Sequence, residues 1–305
     1  MNNQTLHYFS RRSFLQGLTA VSVLFLANSR AQDEPGSFSV TKGDDTADKY
    51  AQQVDEGLKY FKRRALDQIE LVKKMGEAIQ SGDISRAKES YIIARPPYEE
   101  IEVLANSFPE TDAEIDARAY AFENGPTDEA FIGFHKIEYF LFAEENLKEA
   151  ERYVPRLLES CKMLVKVLDE RSRFSSKRTF DGIISVANEV AAKKISSEEE
   201  TFSDQTLLIF KHNWIGIHSQ YKPFHPLVRD KDKAVADEVI QAHNEAMEII
   251  KPHFHEGSVA GTPYSKFGIK DRARVVRASV AIRESLKKAA EVLGIHSYPY
   301  SNFNA

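Results

Sequence analysis

Cysteine, glycine and proline are scarce in this 305-residue chain, and each scarcity excludes a class of protein. One cysteine, Cys161, cannot build a disulfide scaffold or a thiolate metal cluster, and its apolar helical setting predicts a buried, unreactive thiol. With 14 glycines, 11 prolines and no repeated long apolar runs, the chain is neither collagen-like nor a polytopic membrane protein. Basic residues are outnumbered, 41 against 46 acidic ones, so no nucleic-acid partner is expected. The 42% hydrophobic content indicates a globular protein with a sizeable core.

Residues 1–31 have the pattern of an export signal. Arg11 and Arg12 precede the apolar run Gly17–Ala27, whose 11 residues are too few to span a bilayer as a helix. A small-x-small cleavage pattern follows the run. The paired arginines favour the twin-arginine route, with an ordinary signal as the alternative. We therefore expect a periplasmic protein that is not embedded in the membrane after cleavage, with a flexible lead over residues 32–46.

Apolar residues recur every three or four positions from residue 47 onward, and no long stretch alternates at period two. This periodicity predicts amphipathic helices with one buried stripe each. The predicted helical ranges are 47–80, 84–107 with a break at Pro96-Pro97, about 131–142, 147–171, 176–193, 196–216, 232–250 and 270–293. Asp83 and Ser196 are placed to cap two of them, and Gly294 to end the last. Residues 108–127 and 221–227 are predicted to be irregular.

Helices joined by short connections, without strands, predict an all-α protein of packed bundles. The length suggests two lobes of four helices each, an N-terminal lobe over residues 47–170 and a C-terminal lobe over residues 171–305. No sequence repeat relates the two halves, so this division depends on length alone.

Carboxylates and imidazoles are left to carry chemistry, because nucleophile, zinc-helix and phosphate-loop motifs are absent. Glu99 and Glu102 lie three residues apart on a predicted helix, so they share one face and could hold one cation; solvated surface glutamates are the alternative. His135 and Glu138 repeat this spacing in an apolar setting, where a buried carboxylate needs a metal or a cationic partner. Chance also produces H-x-x-E matches, so spacing alone leaves both interpretations open.

A second H-x-x-E match lies in the segment P-H-F-H-E-G. His253, His255 and Glu256 are ligands that a borderline metal accepts. Proline and glycine flank them, however, and predict a loop, so this segment is the weaker candidate for a metal site.

Three ordered motifs resemble the imelysin-like family, in particular its EfeO-type periplasmic iron-uptake proteins. They are Y-E-E-I-E, I-D-A-R and G-F-H-K-I-E, followed farther on by F-K-H-N-W-I-G. The resemblance spans roughly residues 47–295 and implies two four-helix-bundle lobes with a metal-binding cleft. The implied metal ligands and signature pair fall on Glu99, Glu102, Asp116, His135 and Glu138. Where EfeO-type members often have S-H-T-D-L this chain has S-D-Q-T-L, which leaves a fourth ligand open between Asp204, the region of Thr206 and water.

The resemblance implies a protein that captures iron and hands it to an inner-membrane permease, with a haem peroxidase-like protein as a further partner. Oxygen-rich ligands suit Fe²⁺ or Fe³⁺, with Cu²⁺ and Zn²⁺ as competitors. No catalytic residue is expected under this hypothesis. Two alternatives remain: an imelysin-type metallopeptidase that uses the H-x-x-E pair, and an interaction protein without a metal.

Overall fold

Helices make up the regular structure of the computed structural model, which describes residues 48–195 and 199–297. The α-helices are α1 (Ala51–Gln80), α2 (Ile84–Ala94), α3 (Pro96–Ile101), α4 (Pro109–Asp116), α5 (Phe134–Glu138), α6 (Leu147–Asp169), α7 (Ser176–Glu189), α8 (Thr206–Tyr221), α9 (His225–Lys231), α10 (Lys233–Ile250) and α11 (Ile269–Leu293). Within these ranges the only β-type pairing is an isolated bridge between Phe254 and Gly261. The predicted all-α fold is confirmed. The predicted export signal and the lead up to residue 46 lie outside the described residues.

Local signals explain several helix ends. The Asp83 side chain accepts a hydrogen bond from the backbone N–H of Arg86 at 3.1 Å, which caps α2 as predicted. Pro96 opens α3, where its missing N–H costs nothing, and so divides the second predicted helix in two. Gly294 adopts a left-handed φ of 72° and ends α11.

Other helix boundaries differ from the prediction. The connection predicted over residues 108–127 contains α4, and the irregular segment 221–227 leads into α9; proline in the first turn starts both short helices. Within the range predicted as one helix over residues 196–216, the described helix α8 begins at Thr206. Ser196, its predicted cap, lies outside the described residues, and residues 199–203 form bends and turns.

Two glycines let three backbone segments approach closely around α3. A Cβ atom on Gly216 of α8 would collide with the backbone carbonyl of Glu100, and one on Gly182 of α7 with that of Val103. Together, α3 and the 3-10 helix Glu102–Ser107 that continues it are thereby held between α7 and α8, backbone against backbone. This arrangement fixes the position of the acidic residues that α3 carries.

A continuous apolar core runs through the chain from Tyr50 to Ile295, with Trp214 among its largest buried side chains. Cys161 is fully buried in this core, and burial raises the pKa of its thiol to about 12, which confirms the predicted inert cysteine. Among the described helices, none has both the length and the apolar character needed to cross a membrane. The division into lobes at residue 170 stays a prediction.

Candidate functional site

Three carboxylates meet around the guanidinium of Arg95, the fully buried residue between α2 and α3. Its Nη2 donates to Glu99 Oε1 and to Asp116 Oδ1, the latter at 2.9 Å. Its Nε donates to Glu200 Oε1 at 2.6 Å. Helix ends supply these groups, since Glu99 lies on the short α3 and Asp116 is the last residue of α4. Residues distant in the sequence thus share one buried centre.

The signature pair His135 and Glu138 extends this centre from α5. The Nδ1 atom of His135 lies 2.8 Å from Glu138 Oε2, and Nε2 lies 3.3 Å from Asp116 Oδ1. The other Glu138 oxygen accepts backbone N–H groups of Phe202 at 2.9 Å and Ser203 at 2.8 Å. Burial lowers the pKa of His135, but the contacts with Asp116 and Glu138 outweigh it and raise the pKa to about 9. Both ring nitrogens therefore face carboxylates.

Glu102 pairs with a different cation, the buried ammonium of Lys194, which lies on the π-helical turn Val190–Lys194 after α7. Lys194 Nζ donates to both Glu102 oxygens, at 2.9 and 2.7 Å, and lies 3.4 Å from Glu199 Oε2. The amide of Asn213 joins this pair to the centre, because its Nδ2 donates to Glu102 Oε2 at 2.9 Å and to Glu99 Oε2 at 3.2 Å. All five predicted ligands consequently belong to one connected network.

Arg118 closes the network on the side facing solvent. Its guanidinium bridges Asp116 Oδ2 and Glu199 Oε2. Burial alone would raise the pKa of Asp116, but Arg118 and Arg95 hold it well below its usual range. The pKa of Glu199 falls to about 2 because Arg118 and Lys194 together outweigh its burial. These two carboxylates are therefore ionised at neutral pH.

Acidic groups outnumber the permanent cations in this network, which we call the acidic cluster. Its carboxylates belong to Glu99, Glu102, Asp116, Glu138, Glu199 and Glu200, and its permanent cations to Arg95, Arg118 and Lys194. Burial raises the pKa of Glu99 and of Glu200 despite the neighbouring Arg95, and the pKa of His135 is about 9, so protons on these three groups offset much of the excess at neutral pH. In residues 48–195 and 199–297 no three His, Cys, Asp or Glu side chains converge on one metal position. Within the acidic cluster, guanidinium and ammonium groups stand between the carboxylates.

A cavity of about 470 Å³ opens onto one edge of the acidic cluster. Glu102, Arg118, Lys194 and Glu199 contribute to its wall, and Tyr120 stands beside it with 77% of its surface exposed. The cavity has room for a hydrated cation, and it reaches the carboxylates that Lys194 and Arg118 cover. The remaining carboxylates lie deeper, beneath these two side chains.

The structure separates the two candidates for a fourth ligand. The carboxylate of Asp204 instead accepts hydrogen bonds from the Ser265 backbone N–H at 2.8 Å and from its hydroxyl at 2.5 Å. Thr206 touches the cluster only through its hydroxyl, which accepts the Glu200 backbone N–H at 3.3 Å. The adjacent acids Glu199 and Glu200 supply the additional carboxylates. These two acids were not among the predicted site residues, because the S-S-E-E-E run indicated a helix start.

The weaker candidate segment from His253 to Glu256 does not assemble a comparable site. The ring of His253 packs edge-on against Phe267 at 4.8 Å between centroids. His255 and Glu256 lie at the exposed surface. In this segment, which lies within the described residues, no three His, Cys, Asp or Glu side chains converge on one metal position.

Comparison with known proteins places the chain in a family. The Imelysin family model (Peptidase M75) matches residues 47–286, which include the whole acidic cluster. The chain belongs to the imelysin family. This imelysin-family chain is 31% identical over 223 residues to "Iron uptake system component EfeM" of Pseudomonas syringae pv. syringae, covering 73% of the chain and 78% of that protein.

Two further relatives carry related names. "Iron uptake system component EfeO" of Yersinia pseudotuberculosis is 29% identical over 237 residues, which is 77% of the chain but only 62% of that protein. An "Efem/EfeO family lipoprotein" of Staphylococcus aureus is 29% identical over 244 residues, covering 80% of the chain and 83% of that protein. The imelysin-family chain thus spans less than two thirds of the Yersinia protein, while most of the other two relatives is matched.

Proposed function

We propose that this imelysin-family protein is an exported iron-binding component of an iron-uptake system and that the acidic cluster is its iron site. The observation that carries the proposal is the excess of buried carboxylates over permanent cations. Carboxylate oxygens are hard ligands, which suit iron. A buried excess of negative charge is costly unless a proton or a cation offsets it. The names of the relatives support the choice of iron among the possible cations.

Iron would enter through the 470 Å³ cavity and replace the ammonium and guanidinium groups that cover the carboxylates there. Lys194 would leave Glu102, and Arg118 would leave Glu199; both side chains border the cavity, which can receive them. Glu99 and Asp116 lie next to these acids and complete an oxygen-rich ligand set. Since protons compete for the same oxygens, affinity should fall as the pH falls.

His135 and Glu138 fit a supporting role in this site. Ligating carboxylates are commonly held by hydrogen-bond partners one shell out, which orient them toward the metal. His135 lies between Asp116 and Glu138, and Glu138 is anchored by two backbone N–H groups. We infer that the pair orients Asp116 and that its imidazole does not offer an open metal position, as a metallopeptidase would require.

The export signal and the delivery step belong to the same proposal. The paired arginines and short apolar run of residues 1–31 support export to the periplasm by the twin-arginine route. The relatives' names describe components of an uptake system, which supports transfer of iron to an inner-membrane permease and cooperation with a haem peroxidase-like protein.

Iron titration of the purified protein tests the proposal. The wild type should bind Fe²⁺ or Fe³⁺ stoichiometrically in calorimetry, and Glu99→Gln with Glu102→Gln should abolish stoichiometric binding while helical circular dichroism persists. Glu100→Gln is the matched control, because Glu100 is buried on the same turn but pairs with Arg64 and Tyr60 outside the cluster. Undiminished binding by the double variant would refute the assignment. Peptide cleavage that disappears in His135→Ala would favour the metallopeptidase instead.

A further inference from the structure

Only the nitrogen of the Asn213 side-chain amide takes part in hydrogen bonds. Asn213 is fully buried on α8, and its Nδ2 donates to three oxygens: Glu99 O at 2.8 Å, Glu102 Oε2 at 2.9 Å and Glu99 Oε2 at 3.2 Å. Its Oδ1 is buried and accepts no hydrogen bond. An amide nitrogen has two hydrogens to share, whereas the oxygen can accept two bonds. The nitrogen therefore faces three acceptors with two hydrogens, whereas the oxygen has no hydrogen-bond donor.

Electrostatics explains which end of the amide faces the carboxylates. Glu99 Oε2 and Glu102 Oε2 both lie within 3.2 Å of the same nitrogen. With the amide turned by 180°, Oδ1 would face these two carboxylate oxygens and the Glu99 backbone carbonyl, and would be repelled by them. A cation between the carboxylates reverses this preference, because it attracts an amide oxygen and repels N–H groups. Amide oxygens are regular ligands of hard cations.

A bound cation therefore provides the partner that the oxygen of Asn213 lacks. We propose that Asn213 is a further ligand of the iron site, which turns its amide to direct Oδ1 at a cation held by Glu99 and Glu102. This inference rests on the proposed function of the acidic cluster. It adds a neutral ligand from α8 to carboxylates that α3 and its continuation supply.

The alternative role of Asn213 is purely structural, with Nδ2 holding the two glutamates in place. The two roles need opposite ends of the amide. Asn213→Asp keeps the oxygen and removes the donor, at almost unchanged shape. Asn213→Leu removes both. The two substitutions therefore separate a ligand from a hydrogen-bond donor.

Anaerobic calorimetry with ferrous sulfate measures the outcome. We expect Asn213→Asp to bind Fe²⁺ at least as tightly as the wild type, and Asn213→Leu to bind about 10- to 100-fold more weakly, the range seen when groups around a metal are removed. Without iron, Asn213→Asp should melt at a lower temperature than the wild type, since three carboxylates then meet without the bridging donor, and Fe²⁺ should raise its melting temperature more than that of the wild type.

Asn188→Asp is the matched amide-to-acid control, because Asn188 lies on α7 and pairs with Arg283 outside the cluster; its affinity for Fe²⁺ should equal that of the wild type. The inference is overturned if Asn213→Asp loses affinity as Asn213→Leu does, or if Asn213→Leu binds like the wild type. If the wild type itself binds no Fe²⁺, the proposed function fails. If the wild type and Asn188→Asp bind but Asn213→Asp does not, only the role of Asn213 fails.

Discussion

Replacing Arg95 by methionine should remove the central counter-charge of the acidic cluster. The guanidinium is fully buried and contacts Glu99, Asp116 and Glu200, each with at most 2% of its surface exposed. Removing one partner of a buried ion pair costs about 3–5 kcal/mol, because the remaining charge stays buried without compensation. We expect Arg95→Met to lower the free energy of unfolding by this amount. For a chain of this size the melting temperature should fall by about 10 °C.

Urea unfolding followed by circular dichroism at pH 7 and pH 5 measures this loss. Burial already raises the pKa of Glu99 and Glu200 in the wild type, and loss of Arg95 should raise it further. A carboxyl whose pKa is higher folded than unfolded destabilises the fold increasingly as pH rises above its unfolded pKa. The loss of unfolding free energy in Arg95→Met, relative to the wild type, should therefore be smaller at pH 5 than at pH 7.

An exposed arginine provides the control for Arg95→Met. Arg152→Met removes an arginine whose side chain is 68% exposed and pairs with Glu149 at 2.7 Å, so it should change stability by no more than about 0.5 kcal/mol. A loss below about 1 kcal/mol in Arg95→Met, or a loss equal at both pH values, would show that the buried charges do not depend on Arg95.

Two other predictions concern the packing around the site and the C-terminal helices. Gly216→Ala should lower the free energy of unfolding in urea by about 1–3 kcal/mol, because its methyl group meets the Glu100 carbonyl; an unchanged midpoint would contradict the close approach of α3 and α8. Burial, with a smaller effect of His218 stacked at 4.4 Å, lowers the pKa of His243 from 6.5 to about 4. The unfolded chain therefore takes up the proton first, so stability should fall by up to about 3 kcal/mol between pH 6.5 and 4. His243→Phe should remove this part of the pH dependence in urea melts, and an identical pH profile in the variant would argue against it.

Helices were predictable because their signals are local. A stripe of apolar residues, an acid placed to cap α2, a proline that opens α3 and a glycine that ends α11 all act within a few residues of themselves. The S-S-E-E-E run shows the limit of such local signals. Its local pattern predicts a helix start, but in the described part of the run Glu199 and Glu200 lie in a bend and form ion pairs with Arg118 and Arg95, and helix α8 begins at Thr206.

The sequence by itself determined that the chain is helical, and through the ordered motifs that resemble the imelysin family it predicted Glu99, Glu102, Asp116, His135 and Glu138 as one site. Only the tertiary structure decided what neutralises them. Lys194 reaches Glu102 across 92 residues of sequence, and Arg118 reaches Glu199 across 81. Helical periodicity relates residues three or four positions apart, whereas the partner of a buried charge is whichever side chain the packing brings within a few ångströms.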